Sequence, residues 1–418
     1  TDILQGKEPV VITKYSPSKL MEKDVQNSFN GGYLFLQHIY HELGIHKICQ
    51  QIVKKYKFEF NLDSILSRLL YGRILFPSSK LSTYELSAEL IEPPDFELHH
   101  IYRALEVIAK ETDFIQSTLY QNSLSLAKRN TSILYYDCTN YFFEIEQEEG
   151  LKQYGPGKDH KPNPIVQMGL FMDGNGIPLA FSINEGNKNE QLTLRPLEEK
   201  ILSDFRLSKF IVCTDAGLAS NSNRKFNDMG NRAFITTQSI KKLKTHLREW
   251  ALEPEGWFLT EGVETYDIRE LDEEKYKDKI FYKERWIKEN GLEQKLIVTY
   301  SIKYRDYLRS IRNSQIQRAL KIISTNPSKI KNINQNDYKR FIEKTSCTPN
   351  GEIAKKEIYS LNTLLVKKEE VFDGFYAVCT NLDENVSAIV KINKQRWKIE
   401  ECFRILKNEF KARPVYLK

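Results

Sequence analysis

The sequence predicts an α/β protein with a central β-sheet, a helical region before it and a long insertion within it. Apolar residues recur at helical spacing through most of residues 1–130, after a strand-like start at Pro9–Tyr15. Short β-branched and aromatic runs alternate with turn residues in 131–240. About 155 residues then separate Thr237 from Asn393, where the last helical pattern begins. The predicted domains are 1–130, a core formed by 131–240 and 371–418, and an inserted β-rich or mixed subdomain at 241–370.

Charge and composition are compatible with a nucleic-acid partner but do not require one. The 418 residues carry a net charge of +6, with a sequence pI near 8.7, and 28% of them are charged. Cations are concentrated in two segments. Lys303–Thr345 holds eleven Lys or Arg against three Asp or Glu, and Lys391–Lys418 holds nine against three. Because polyanions bind to basic surface segments, these two are the first candidates for contacts with phosphate groups.

Several function classes are excluded by the residue pattern. The six cysteines form no CxxC pair and several stand in apolar runs, which is typical of reduced thiols in a cytosolic protein. No HExxH motif and no cluster of Cys and His predicts a zinc site. No apolar run approaches the roughly 18 residues of a membrane span, and no signal peptide is visible. We therefore expect a cytoplasmic protein that does not bind membranes.

The region 1–130 is predicted to be mainly helical. The run GYLFLQHIYHELG is apolar at helical spacing and stops at Gly44. A second helix is bounded by a capping Asn61 and by Pro77. The cations of this region either face phosphate groups or are solvated charges on the surface of a helical packing module. The residues alone leave both alternatives open.

Residues 131–240 predict the sheet. The expected strands are Ile133–Asp137, a return strand at Tyr141–Glu144, Val166–Met172, Pro178–Ile183, the run into Asp215, and Arg232–Thr237. A hairpin turn is predicted at Asp173–Gly176, and a helix at Leu192–Phe205. Hairpin-linked strands followed by helix, strand, helix and strand are the order of an RNase H-like fold. Such a fold would bring Asp137 and Asp215 to the ends of neighbouring strands.

The C-terminal pattern predicts one amphipathic helix over Gln395–Lys411. Its apolar stripe consists of Ile399, Phe403, Leu406 and Phe410. A second stripe holds one acid among three cations, namely Arg396, Glu400, Lys407 and Lys411. One interpretation is a surface helix with ion pairs worth ~0.2–0.5 kcal/mol each. The other is that Glu400 joins Asp137 and Asp215, since three carboxylates at one sheet edge would bind hard divalent cations.

Two further segments are candidates for contacts with DNA. The inserted region predicts strands at Lys279–Ile287 and Gln294–Tyr300, then a basic helix at Tyr304–Ile323 and a polar stretch at Thr325–Asn336. Four arginines lie on or near that helix: Arg305, Arg309, Arg312 and Arg318. The loop GPGKDHKPNP lacks the spacing of a nucleotide-binding loop. Its Lys158 either approaches DNA near the carboxylates or belongs to a polar hairpin connection.

The C-terminal helix resembles the Tyr-x2-Arg-x3-Glu-x6-Lys signature of bacterial insertion-sequence transposases with a DDE catalytic domain. Arg396, Glu400 and Lys407 fall on the Arg, Glu and Lys of that signature. The Tyr position is Asn393 in this chain, which is a departure from the pattern. The resemblance covers most of the chain, and each motif is weak alone whereas the ordered set is fairly specific.

Two upstream motifs complete the resemblance. Asp137 in YYDCTN matches the family's first Asp, and Asp215 in CTDAGLAS matches its second. The resemblance implies that these two residues and Glu400 hold two Mg²⁺ (or Mn²⁺) ions. It also implies that the chain cuts and joins the ends of an insertion sequence by phosphodiester hydrolysis and transesterification.

The resemblance further implies the partners. These would be double-stranded DNA, as terminal repeats and as target, and a second copy of the chain in a homodimer on that DNA. The N-terminal region would recognise the terminal repeats, and Arg396, Lys407 and Lys411 would contact phosphates near the metals. The protein would act in the bacterial cytoplasm, at the nucleoid.

Two alternatives remain open. An RNase H-like metal-dependent nuclease that cuts without joining strands would use the same three acids. In the family, helices usually continue beyond the stretch Arg413–Tyr416, whereas this chain ends at Lys418. That difference keeps open an inactive, truncated DNA-binding relic of a transposase.

Overall fold

The computed structural model describes residues 28–159, 161–260, 262–325, 337–347 and 353–415. The strand predicted at Pro9–Tyr15 lies outside these residues, as does all but the first residue of the polar stretch Thr325–Asn336. The chain divides into two compact units, Thr1–Ala109 and Lys110–Lys418. We call them the helical unit and the sheet unit.

The helical unit confirms the helices predicted for this part of the chain. Its helices are α1 (Leu34–Glu42), α2 (Ile45–Val53), α3 (Leu62–Leu75), α4 (Lys80–Ser87) and α5 (Leu98–Lys110). Asn61 caps α3 as predicted, because its side-chain Oδ1 accepts the backbone N–H of Ser64 at 3.1 Å. Tyr71 anchors the core, with its ring centroid 5.5 Å from that of Tyr33 and 6.0 Å from that of Tyr40.

The sheet unit is a mixed α/β structure built on one large sheet. Its strands are β1 (Ile133–Phe142), β2 (Ile165–Asp173), β3 (Pro178–Glu185), β4 (Ile211–Thr214), β5 (Ala233–Gln238), β6 (Trp257–Leu259), β7 (Thr265–Tyr266), β8 (Phe281–Glu289), β9 (Leu292–Tyr300), β10 (Ile342–Cys347), β11 (Ile353–Leu361) and β12 (Phe375–Thr380). Its helices are α6 (Thr112–Ser123), α7 (Leu194–Asp204), α8 (Asn221–Asn227), α9 (Thr245–Leu252), α10 (Ile302–Thr325), α11 (Thr363–Glu370), α12 (Val386–Lys394) and α13 (Trp397–Arg404).

Ten strands form this sheet in the order β3-β2-β1-β4-β5-β12-β9-β8-β6-β7, and β10 pairs separately with β11. β1 is antiparallel to β2 but parallel to β4, which is parallel to β5. Alternate residues of β1 and β4 face opposite sides, as the period of a strand requires. Helix α7 packs on the side of Tyr136 and Val212, whereas α12 and α13 pack on the side of Tyr135 and Cys213.

The prediction of two strands separated by a turn after Asp137 is wrong. Residues 133–142 form the single strand β1, and Asp137 lies in its middle, opposite Leu170 of β2. Pairing continues without a break through Asn140, opposite Gln167. The reason is that the stretch Cys138–Asn140 holds no Gly or Pro to break the strand, so the ladder with β2 overrides the turn tendency of Asn.

Most strands of the inserted segment extend the core sheet, whereas β10 and β11 pair as a separate two-stranded sheet. Strands β8 and β9 confirm two predicted strands, and β12 joins β9 to β5 by antiparallel pairing on both sides. One core cluster accordingly mixes Phe234 of β5 with Trp257, Phe281 and Leu296 of the insertion. The functional boundaries predicted for the core and the insertion stay predictions.

The prediction of one regular helix over Gln395–Lys411 is also wrong. Helix α13 ends at Arg404, and a π-helical turn, Ile405–Glu409, follows it. The wider turn rotates every later position relative to a period of 3.6, so the polar stripe read from the sequence is broken. The chain then leaves the helix and runs beside the end of β1, where the N–H of Val415 donates to the carbonyl of Phe142 at 3.0 Å.

Two composition-based expectations have structural counterparts among the described residues. No described helix is both long enough and apolar enough to cross a membrane. The five cysteines whose side chains are described carry free thiols, and four of them are buried: Cys49, Cys138, Cys213 and Cys379.

Candidate functional site

Asp137, in the middle of β1, and Asp215, directly after the end of β4, lie close to each other. The parallel pairing of β1 with β4 ends at Tyr135 opposite Cys213, so two residues further along each chain come Asp137 and Asp215. Because side chains alternate along β1, Asp137 shares the side of Tyr135, and Asp215 is close enough for its charge to act on the Asp137 carboxyl. The side of Tyr135 is the one covered by α12 and α13. Two acids that are 78 positions apart in sequence are therefore brought together near the helix that carries Glu400.

The surroundings of Asp137 raise the free energy of its ionised carboxylate. Burial is the largest effect on the pKa of this carboxyl, the charge of Asp215 adds to it, and together they raise the pKa to about 6. Lys158 and Arg396 act in the opposite direction, as does a hydrogen bond of 2.7 Å from the N–H of Cys138 to Oδ1. A buried carboxylate with an acidic neighbour attracts a cation, and Lys158 is the protein cation with the largest effect.

Glu400 does not join the two aspartates. Its carboxylate pairs with Arg396 of the same helix, with 3.3 Å between Nη2 and Oε1, and its side chain is 59% exposed. The Arg396 guanidinium is itself close enough to Asp137 to lower the pKa of that carboxyl. The Arg396 guanidinium therefore interacts with both Glu400 and Asp137. Its pair with Glu400 is the one that the surface-helix interpretation predicts.

These placements test the expected metal site. Among the residues that the structure describes, no three His, Cys, Asp or Glu side chains form a group that could hold a metal ion. Asp137 and Asp215 offer a divalent cation a pair of carboxylates, since the charge of Asp215 acts on the buried carboxyl of Asp137. The third ligand implied by the resemblance, Glu400, fits only if its pair with Arg396 opens.

Lys158 lies close to Asp137, whereas its contact with DNA stays a prediction. Its backbone N–H donates to Oδ1 of Asn140 at 2.9 Å, and its ammonium group donates to the carbonyl of Cys138. The ammonium also lies 3.8 Å from Oε1 of Glu190, an acid that the sequence analysis did not select. The signal for Glu190 is local: Asn189 caps a short 3₁₀ helix, Glu190–Leu192, that begins at this residue.

Of the two other predicted cations of the C-terminal segment, Lys407 lies within the π-helical turn and Lys411 lies beyond it. The ammonium of Lys407 is 5.7 Å from the ring centroid of Tyr141, and burial lowers its pKa. Lys411 is exposed, with a backbone φ of 46°. Arg413, which the sequence analysis did not select, pairs with Asp159 and so holds the Lys158 loop from the other side. Lys407 and Arg413 therefore lie near the loop that carries Lys158.

The arginines of α10 do not form one DNA-facing row. Arg312 is 6% exposed, and its two terminal nitrogens donate to the carboxylate of Asp373 at 2.7 and 2.6 Å. Arg305 is also largely buried, with an acidic partner at 2.8 Å. Counting the basic residues of α10 in the sequence could not reveal these acidic partners, because they belong to other elements. Only Arg309 and Arg318 of the four predicted residues are exposed.

A cavity of about 530 Å³ lies next to Glu400. Strands β9 and β12 form one wall, and the start of α10 and the α12–α13 turn form the others. Its aromatic lining includes Tyr304, Tyr307 and Trp397. Asn393, at the family's Tyr position, is buried there and donates to the hydroxyl of Tyr376 at 3.1 Å.

No protein-family model matches the sequence, and no curated protein matches it. Among solved structures, the chain is similar to the piggyBac transposase in a cryo-EM structure of its synaptic complex with hairpin DNA, at 8% sequence identity and a TM-score of 0.37. The match covers 88% of this chain and 65% of that chain, so this chain spans less than two thirds of that transposase's length. A TM-score this low does not establish a shared fold.

Proposed function

We propose that the chain is a DNA transposase with an RNase H-like catalytic core. The observation that carries the proposal is the proximity of Asp137 to Asp215 near α13. The strand order β3-β2-β1-β4-β5, with one antiparallel and one parallel neighbour for β1, supports the RNase H-like core. The motif resemblance supports the choice of transposition over other chemistry of such a core.

The proposed cofactor is a pair of Mg²⁺ or Mn²⁺ ions. When bound, such ions would lower the pKa of an attacking water and stabilise a leaving 3′-oxygen. Asp137 and Asp215 would hold them, and Glu400 would complete the ligands after leaving Arg396. Arg396 would then be free to bind a non-transferred phosphate oxygen with its fork of N–H groups. The opening of one ion pair thus supplies both a ligand and a phosphate contact.

The proposed substrates are the terminal repeats of an insertion sequence and the target DNA, bound by a homodimer in the bacterial cytoplasm. Of the residues predicted to bind DNA, the exposed ones are Lys158, Arg309, Arg318 and Lys411. We propose these four, with Arg396 and Lys407, as phosphate contacts. Arg305 and Arg312 are withdrawn from that set because their side chains are largely buried, at 14% and 7% exposure, within ion pairs.

The test is DNA cleavage by matched variants. Asp137→Asn, Asp215→Asn and Glu400→Gln should each abolish nicking of DNA that carries the flanking element ends, in the presence of Mg²⁺, while leaving DNA binding nearly intact. Glu401→Gln is the matched control, since Glu401 neighbours Glu400 but pairs outwards with Arg404. Cutting by Glu400→Gln at the normal rate would contradict the proposal. Nicked products without joined products would favour the nuclease alternative, and absence of nicking by the unaltered protein would favour the inactive relic.

A further inference from the structure

The ammonium group of Lys158 lies among oxygen atoms from separate parts of the chain. It donates to the carbonyl of Cys138, the residue after Asp137, and it lies 3.8 Å from Oε1 of Glu190. Among the protein's cations, its charge has the largest effect on the carboxyl of Asp137. The ammonium therefore pairs with the carboxylate of Glu190 on the 3₁₀ helix, while its hydrogen bond to the carbonyl of Cys138 holds it next to Asp137 on β1.

Glu190 is held in place by contacts on both sides of the site. The hydroxyl of Thr193 donates to the carbonyl of Glu190 at 2.7 Å, and Thr193 also contacts Tyr136 of β1 at 2.7 Å. On the other side, Nε2 of Gln191 donates at 2.8 Å to the carbonyl of Gly217, in the loop that follows Asp215. The 3₁₀ helix thus bridges the two elements that supply the aspartates.

A second set of hydrogen bonds holds the 3₁₀ helix in place. Nδ2 of Asn223, a buried residue, donates to the carbonyls of Gln191 and Leu218 at 3.0 and 3.1 Å. Glu190 therefore presents its carboxylate from a rigid support, whereas Lys158 reaches it with a flexible four-carbon side chain. The position of the Lys158 ammonium therefore depends on whether Glu190 or Asp137 attracts it more strongly.

We propose that Glu190 is a positioning residue that keeps the ammonium of Lys158 off Asp137, so that the Asp137 carboxylate stays open to a divalent cation. This inference rests on the proposed function. Without the charge of Glu190, the flexible ammonium would be free to turn to the carboxylate of Asp137, the residue that directly precedes its hydrogen-bond acceptor Cys138. Lys158 would then occupy the oxygen atoms that the cation needs, and the loss would disappear if Lys158 were removed as well.

The experiment measures Mn²⁺ binding by the electron paramagnetic resonance signal of free Mn²⁺, on the full chain without DNA. Four proteins are compared: the unaltered protein, Glu190→Gln, Lys158→Met and the double variant. Glu190→Gln should weaken binding about tenfold, the lower end of what is found when a partner outside the ligand set is removed. Lys158→Met should bind at least as tightly as the unaltered protein, and the double variant should match Lys158→Met.

Matched controls separate charge from shape. Glu185→Gln and Lys161→Met alter exposed residues of the same type nearby and should leave Mn²⁺ binding unchanged. Glu190→Asp keeps the charge and should keep most of the affinity. Thermal unfolding of every variant shows whether the fold is retained. If Glu190→Gln does not fold, the comparison rests on Glu190→Asp and on the double variant.

Each outcome decides the inference. Rescue of Glu190→Gln by Lys158→Met supports it, because a merely structural role of Glu190 would give no rescue. Additive losses, an unchanged Glu190→Gln, or no Mn²⁺ binding by the unaltered protein would overturn it. The proposed function is judged separately by DNA nicking: if nicking is absent while the Mn²⁺ pattern holds, the function fails and the positioning role stands.

Discussion

The buried pair of Arg312 and Asp373 decides between two roles for a basic residue of α10. Sequence alone placed Arg312 among the DNA contacts, whereas the structure holds it by two hydrogen bonds of 2.7 and 2.6 Å to Asp373. Arg312→Met keeps much of the side-chain volume and removes the charge. It leaves a buried carboxylate without its principal partner, which is the costly half of breaking such a pair.

The expected loss can be worked from the remaining neighbours of Asp373. Removing one member of a buried ion pair costs ~3–5 kcal/mol. Arg309 stays 3.6 Å from Asp373 and is half exposed, so it can move towards the orphaned carboxylate. We therefore expect the lower value, about 3 kcal/mol. For a denaturant slope of ~3 kcal/mol per M of urea, the unfolding midpoint should fall by about 1 M.

Urea unfolding and DNA binding together provide the assay. The double variant Arg312→Met with Asp373→Leu should recover most of the stability, because a buried ion pair can be replaced by apolar side chains. The control is Arg318→Gln, at an exposed position of the same helix, which should change stability by no more than ~0.5 kcal/mol. It should instead lower the slope of log K against log salt by ~0.9 if Arg318 contacts one phosphate. An unchanged midpoint for Arg312→Met with a reduced salt slope would refute the reasoning.

Two further predictions concern single side chains. Burial raises the pKa of Glu198 to about 7, so its contribution to stability is complete below its ordinary value near 4.5 and is lost as pH rises through 7. Glu198→Gln should remove that loss, and urea unfolding at pH 5 and pH 8 should show a smaller difference than in the unaltered protein; an equal difference would contradict the assignment. In the helical unit, Asn61→Ala removes the cap of α3 and should cost ~1 kcal/mol, whereas Asn61→Asp should cost little. Thermal unfolding checks this, and equal midpoints for the two variants would show that the cap is unimportant.

Local patterns predicted the strands and helices well where each pattern lay within one element. The runs that became β2, β3, β8 and β9 are bounded by turn residues, and the cap of α3 is a single side chain with a known partner. The position of Asp137 next to Asp215 was also predictable, because strand order and alternation together specify it.

The failures arise where a distant partner decides the outcome. β1 continues through the stretch Cys138–Asn140 because β2 pairs with every residue of it. Arg312 is buried because Asp373 lies across from it, 61 positions later in the chain. The π-helical turn after Arg404 breaks a stripe that was drawn with a fixed period. No role for Glu190 could be derived from the sequence, because its contact with Lys158 joins two loops that carry no periodic signal.

The contact between Arg413 and Asp159 gives the site an order of assembly. These residues are 254 positions apart, and the neighbouring backbone bond from Val415 to Phe142 closes the same long loop. Contacts between such distant residues form late, because the entropy of closing a loop grows with its length. A growing chain can pair β1 with β4 long before Arg413 has been synthesised. On the ribosome, the two aspartates can therefore come together while the loop that bears Lys158 is still unbraced. The braced site becomes complete only after Arg413 has been synthesised, and a chain interrupted earlier would carry the acids without the braced cation.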